Sequence, residues 1–173
     1  MSKQIVNIGL SNPKSPTNVG AVMRAAGCYG VDSVLYTGTR YDRAVKLNTD
    51  TKQATGKIPL TQQLHLLDNI EDDIKVICVD LVEGAIPLPN FEHPPKAIYL
   101  FGPEDGTLNQ KLINQADAVV YIPTTGCMNL AATVNVLLYD RLAKSAAFET
   151  DNDLIKQSRD NNNRVKVKSR PTI

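Results

Sequence analysis

Arg24 lies in the run NPKSPTNVGAVMRAAG, Asn12 to Gly27, and its neighbours one helical turn away are Gly20, Ala21, Gly27 and Cys28. The run reads as a helix start. Ser15 can cap it, Pro16 suits the first helical position, and Asn18 falls in the first turn. A glycine inside a helix costs about 1 kcal/mol against alanine, so Gly20 and Gly27 weaken this one. In return, another backbone or a ligand can come close to the face that holds Arg24. Two readings stand on this run alone: a surface arginine over a small-residue packing stripe, and a guanidinium presented to a ligand.

Other residues with chemical potential are less well placed. Neither GxGxxG nor GxxxxGK[ST] occurs, which removes the dinucleotide fingerprint and the P-loop, and GxSxG is missing too. His65 and His93 have no Cys or His at ligand spacing, so no metal site is expected. Asp80 ends an apolar run as a phospho-acceptor would, but the acidic pair Asp72–Asp73 precedes that same run, which does not fit a receiver site. Glu104 and Asp105 are adjacent on an extended loop and point apart. The reading for each is an acceptor for loop amides or a partner for an arginine. Cys28, Cys78 and Cys127 are far apart and odd in number, and Cys28 and Cys78 read as reduced core residues.

Apolar runs rich in Val, Ile and Tyr at 5–10, 33–38, 75–80, 97–102 and 118–123 read as strands. Helix-like segments fall at 16–29, 62–70, 107–115 and 129–146, and 41–57 reads as a polar loop with a short helix. Continuous apolar strands alternating with helices imply an α/β fold with a mostly parallel, two-sided sheet. Ligands of such sheets bind beyond the carboxyl ends of the strands. The loops there begin SNPKSPTN, DLVEGAIP, GPEDGTLN and PTTGCMN.

The chain has 173 residues, 42% hydrophobic and 21% charged, which suits one ordinary globular domain. The N-terminus MSKQIVNIGL has neither a signal peptide's charged start nor its apolar segment, and no run has membrane-spanning length, so a cytoplasmic location with no membrane partner is expected. Net charge is +1, unevenly spread: residues 151–173 hold six Lys/Arg and three Asp, leaving 13 basic and 15 acidic residues in the first 150. The expected division is a domain over 1–150 and a basic tail over 151–173. That tail reads equally as a solvated, flexible terminus and as an arm for an anionic partner.

Three segments in order, NVGAVMRAAG (18–27), IYLFGPEDG (98–106) and VYIPTTGCMNLAATVNVLLYD (120–140), closely resemble the motifs of the SpoU-type, TrmH-like branch of the SPOUT RNA methyltransferases. The resemblance extends over most of residues 4–146. It implies an α/β domain whose C-terminal part is threaded into a trefoil knot, a feature that composition and periodicity do not reveal. It implies S-adenosylmethionine as cofactor, a homodimer in which both subunits line each site, and methylation of a ribose 2′-hydroxyl of tRNA or rRNA. Carried over by residue, it assigns Arg24, Asn18, Glu104 and Asn129 to the catalytic site. Val79, Gly102, Ile122, Cys127, Met128 and Leu130 fall to the cofactor.

Two departures accompany the resemblance. The family's GPExxG reads GPEDGT here, so the second glycine arrives one residue early, and Cys127 stands where serine is usual. Two other readings remain: a nucleotide- or RNA-binding α/β module without turnover, and a SPOUT enzyme acting on a base nitrogen. The NxG…R pattern of the first motif favours the ribose.

Overall fold

The computed structural model describes residues 4–47, 58–145, 151–159 and 164–167. Seven parallel strands form one sheet: β1 (Ile5–Leu10), β2 (Ser33–Tyr36), β3 (Leu60–Gln62), β4 (Lys75–Val79), β5 (Ile86–Pro87), β6 (Lys96–Phe101) and β7 (Ala118–Tyr121). Their order across the sheet is β3-β2-β1-β6-β4-β7-β5. Helices α1 (Pro16–Cys28), α2 (Arg40–Leu47), α3 (Gln110–Gln115), α4 (Leu130–Lys144) and α5 (Asn152–Ser158) complete the fold. The expected parallel α/β architecture is therefore present. Among the described residues no helix is long and apolar enough to cross a membrane.

Strand side chains alternate between the two faces, and β6 shows the consequence. Ala97, Tyr99 and Phe101 enter a core with α1 and α4, through residues such as Val22, Val134 and Leu137. Ile98 and Leu100 enter a second core with Leu66, Cys78 and Leu108, covered in part by Leu112 and Ile113 of α3. Both faces of β6 are buried, which is why its sequence is a continuous apolar run. On β1, a Cβ at Gly9 would lie 2.6 Å from the end of the Leu100 side chain, so a larger residue there would force Leu100 to move within this core.

Several expected boundaries move, each for a local reason. Residues 62–70 are not helical. The His65 N–H donates to Asp68 Oδ2 at 3.0 Å, the Asp68 N–H donates back to the His65 carbonyl, and Asn69 takes φ 58°. Such side-chain bonds compete with helix, and the segment becomes a turn following the edge strand β3. Helix α3 starts at 110 rather than 107 because Asn109 caps it, accepting from Leu112 N–H at 2.9 Å. Cys28 is exposed at the end of α1, not buried as read from sequence, while Cys78 is buried. Of the segment 41–57, the part through Leu47 belongs to α2, and 48–57 lies outside the described residues. In the tail, 152–158 form the short helix α5, none of whose residues is buried.

At the amino end of β6 a buried polar cluster joins α4 to the segment before that strand. Arg141 donates to the carbonyls of Pro94 (2.7 Å) and Pro95 (3.1 Å) and to Tyr99 Oη (2.9 Å). His93 Nδ1 lies 2.7 Å from Tyr99 Oη and its Nε2 lies 2.9 Å from Asp140 Oδ2. Burial lowers the His93 pKa despite Asp140, and burial raises that of Tyr99 to about 12. A neutral imidazole accepting from the Tyr99 hydroxyl and donating to Asp140 satisfies every one of these contacts. Lys144 adds bonds to the carbonyls of Leu88 and Phe91 at 2.7 and 3.1 Å. The last two turns of α4 are thereby fastened to residues 88–95.

Candidate active site

Three neighbouring strands, β6, β4 and β7, end level with one another: Val79 pairs in register with Phe101 on one side and with Val120 on the other. The chain turns off each end into a loop. One side of a single cleft therefore forms from residues 80–81, 102–106 and 122–129, and its volume is about 240 Å³. The end of β1 adjoins β6, with the Ser11 N–H donating to the Phe101 carbonyl at 2.9 Å, so the start of α1 reaches the same place.

All six residues expected for the cofactor, Val79, Gly102, Ile122, Cys127, Met128 and Leu130, line this cleft. Asn18, Glu104 and Asn129 line it too, and Arg24 does not. The walls combine apolar side chains (Val79, Ile122, Met128, Leu130) with glycine backbone at 102 and 106. That donor set fits S-adenosylmethionine, whose adenine and methionine parts require apolar surface and backbone amides. Asp80, Leu81, Thr124 and Thr133 also face the cleft and were not singled out for the site by sequence. For Asp80 the position at a strand end was legible, but not its loop contacts.

Glu104 is the most heavily bonded side chain of the cleft. Its Oε2 accepts from Lys14 N–H at 2.8 Å, and its Oε1 accepts from Ser15 N–H at 3.0 Å and Asn18 Nδ2 at 3.1 Å. Ser15 is the N-cap of α1, so the carboxylate sits at the positive end of that helix. Burial pushes the Glu104 pKa up, but the N–H groups of Ser15 and of Glu104 itself, the Asn18 amide and the Lys14 N–H outweigh it, and the net shift is downward. Glu104 and Asn18 are therefore bound to each other, in a structural bridge between the first and second motifs.

The loop closes despite its early glycine. Gly106 N–H donates to the Pro103 carbonyl at 3.2 Å, and neither Gly106 nor Thr107 takes a positive φ. Asp105, beside Glu104, turns outward and takes a two-pronged contact from Arg40 at 3.0 and 2.8 Å. Gly102 cannot be replaced freely, because a Cβ there would lie 3.1 Å from Leu108 N. In the third loop, Asn129 caps α4 by accepting from Ala132 N–H at 2.7 Å, and Cys127 is an exposed thiol in the cleft wall.

Arg24 lies on α1 outside the cleft lining. It is exposed, with no hydrogen bond or ion pair among the described residues. A Cβ added at Gly20 or Gly27 would meet nothing within 4 Å. Gly20 and Gly27 therefore meet no other part of the described chain on that face of α1.

The Glu104 bridge predicts a pH-linked stability. Glu104→Gln should lower unfolding free energy at neutral pH by about 1–2 kcal/mol, since a carboxamide cannot accept all three bonds and the group is partly exposed. With its native pKa below the usual 4.5, the carboxylate stabilises above that value, and its contribution is lost as pH falls from there through the native pKa. Urea titrations across this range should show the gap between wild type and variant closing as pH falls. A gap that does not change with pH would refute the charged bridge.

Comparison with known proteins agrees with this geometry. Residues 5–139 match the model of the SpoU rRNA Methylase family. The chain is 28% identical over 149 residues to the 23S rRNA (guanosine-2′-O-)-methyltransferase RlmB of Acinetobacter baylyi, covering 79% of this chain and 59% of that protein. Its fold is similar to that of the SpoU methyltransferase AviRb from Streptomyces viridochromogenes, solved in complex with AdoMet, with TM-score 0.66, 20% identity, and coverage of 82% of this chain and 58% of AviRb. A structure giving insights into the 2-OH methylation of C/U34 on tRNA matches with TM-score 0.64 and 18% identity, over 82% of this chain and 91% of that one. The chain thus spans somewhat under two thirds of RlmB and of AviRb. With its three motifs gathered around one cleft and the family model matched over most of its length, the chain belongs to the SpoU rRNA Methylase family.

Proposed function

We propose that this protein is an S-adenosylmethionine-dependent methyltransferase acting on a ribose 2′-hydroxyl of RNA. The observation that carries this reading is the meeting of the six cofactor residues with Asn18, Glu104 and Asn129 around one cleft. Family membership, a relative named for guanosine 2′-O methylation and a neighbour solved with AdoMet support it. Transfer RNA is the first substrate to test, because the structure concerned with tRNA position 34 is matched over 91% of its chain, whereas RlmB is matched over 59%. Ribosomal RNA is the second. A cytoplasmic location agrees with such a substrate.

Bound in the cleft, the cofactor supplies an activated methyl group on a sulfonium centre. Val79, Ile122, Met128 and Leu130 hold its apolar parts and exclude water. Asn129 gives its carbonyl oxygen to the α4 cap and turns its amide nitrogen to ligand. Glu104, bonded to Asn18, fixes the distance between the first and second motifs. Arg24 has the charge that a ribose oxygen needs as it loses its proton. A guanidinium with pKa above about 12 is a poor general base, so its role is to clamp a phosphate and stabilise the developing alkoxide, with the RNA phosphate assisting deprotonation.

Arg24 lies six residues beyond Asn18, roughly 9 Å along the helix, and outside its own chain's cleft. A homodimer lets it reach a reacting ribose, with both subunits contributing to each site. The open glycine face of α1 and the exposed Val136 and Tyr139 of α4, the helix it packs on, suit a partner of the same kind. The trefoil knot belongs to the same reading. It is supported by membership of the family and by the likeness of fold to AviRb.

Wild-type protein should transfer labelled methyl from cofactor to tRNA, or failing that rRNA, and nucleoside analysis should find it on ribose. A base-methylated product or no transfer would overturn the reading. Arg24→Ala should lose on the order of a hundred- to a thousandfold in single-turnover rate with folding intact, and Arg24→Lys nearly as much, since an ammonium lacks the planar fork. Rates within a few-fold of wild type would remove Arg24 from the chemistry.

Light scattering at micromolar concentration should report twice the chain's mass, and a monomer would refute the shared site. The tail is assigned as an RNA arm on the strength of its basic residues, among which Lys156, Arg159, Arg164 and Lys166 are described and none is buried. Deleting 151–173 should weaken RNA binding and flatten its salt dependence while cofactor affinity is unchanged. Equal affinity and salt slope with and without the tail would leave it a solvated terminus.

A further inference from the structure

We propose that Asp80 is a positioning residue for cofactor binding: its carboxylate ties the loop after β4 to the loop after β6 and so sets the distance between two walls of the cleft. Asp80 is half-buried and lines that cleft. Its Oδ1 accepts from Leu81 N–H at 2.8 Å and its Oδ2 accepts from Leu108 N–H at 2.7 Å. Its own N–H donates to the Val120 carbonyl at 3.0 Å, which holds it in register with β7 as well. One residue at the end of β4 thus bonds to β7 and to the segment that follows the loop after β6.

The far end of the main contact is equally constrained. Leu108 is 5% exposed and packs in the second core with Cys78, Leu100 and Leu112. Its N–H faces Asp80 across the Gly102 backbone, where an added Cβ would lie 3.1 Å from Leu108 N and 3.4 Å from Asp80 Oδ2. Glycine at 102 therefore admits the 107–108 segment, and the carboxylate holds it there. Without the carboxylate a buried N–H loses its acceptor, and the segment that carries Pro103, Glu104 and Gly106 can move away from Val79. An amide at position 80 offers one acceptor oxygen and turns an N–H₂ group toward a second N–H, so it satisfies only one of the two bonds. The nine cleft residues assigned above do not include Asp80.

The inference rests on the reading of the cleft as an S-adenosylmethionine site, and the test separates the two. S-adenosylhomocysteine is titrated calorimetrically into wild type, Asp80→Asn, Asp80→Ala, Gly102→Ala and the Asp80→Ala/Gly102→Ala double variant, with thermal melts on each. Asp80→Ala should raise Kd at least about tenfold, as expected when a buried N–H loses a charged acceptor, with Asp80→Asn in between. Single-turnover methylation at saturating cofactor should stay within about threefold of wild type. Both substitutions loosen the same Leu108 contact, so the double variant should bind about as weakly as the worse single one instead of multiplying the two effects. Should Asp80→Ala fail to fold, the near-isosteric Asp80→Asn carries the comparison alone. Wild-type affinity in the Asp80 variants, fully multiplied effects, or a matching loss of rate at saturation would each overturn the inference. A wild type that binds no cofactor would overturn the cofactor reading and this inference with it.

Discussion

The site depends first on a single carboxylate. Glu104 lies on the loop after β6, yet its three side-chain partners, Lys14, Ser15 and Asn18, belong to the start of α1, some ninety residues earlier. Sheet pairing brings β1 and β6 side by side but leaves the loops beyond their ends free to diverge. Hydrogen bonds to a charged group are worth about 1.5–3 kcal/mol each, and ordering one backbone residue costs about 1–2 kcal/mol. Three such bonds, weakened by partial exposure, offset part of the cost of holding the turn Pro103–Gly106 against the helix. The carboxylate also meets the positive end of α1, so the helix dipole and the hydrogen bonds act in the same direction.

Asp105 and Asp80 extend the same device to either side. Asp105 carries the loop outward to Arg40 at the start of α2, and Asp80 carries it inward to the neighbouring strand end. Asp105 binds the guanidinium of Arg40, and Asp80 binds the backbone N–H groups of Leu81 in its own loop and of Leu108 beyond the next. A cleft walled by irregular backbone contains many donors with no ladder to satisfy them. Carboxylates, which only accept, are the side chains suited to that surplus. The acidity of GPEDG thus serves architecture first.

What was legible in sequence follows from how local each cause is. The apolar runs of β1, β4 and β6 were visible because both faces of those strands are buried, and α1 because Ser15, Pro16 and its small apolar residues act within a few positions. The three motifs could be read in order, and the residues expected there for a cofactor line one cleft. Edge strands β3 and β5, of three and two residues, were missed because Leu60–Gln62 and Ile86–Pro87 are defined by their neighbours and not by any pattern of their own. Residues 62–70 carry apolar positions at helical spacing, but Asp68 bonds locally to His65, Asn69 takes φ 58°, and no helix forms. Asp80 could not be assigned because its partner, Leu108, is distant in sequence and contributes only a backbone N–H. Helix α3 begins late because Asn109 caps it, accepting from Leu112 N–H.

Helix α4 connects these constraints to the rest of the molecule. Its first residue follows Asn129, whose side chain both caps it and faces the cleft, and its last turns carry Arg141 and Lys144 into the polar cluster at the other end of β6. Between them Val134, Leu137 and Leu138 are buried against the sheet. Sliding α4 by one residue would move Asn129 by about 1.5 Å and break the geometry of two carbonyl contacts at Pro94 and Pro95. Those contacts are directional hydrogen bonds from a buried guanidinium, while the apolar middle of the helix tolerates small shifts. The polar cluster therefore fixes the axial position of α4 more tightly than the core does. Burial of His93 keeps that cluster free of an additional positive charge beside Arg141 and Lys144. Asn129 is held in place from the far end of its own helix.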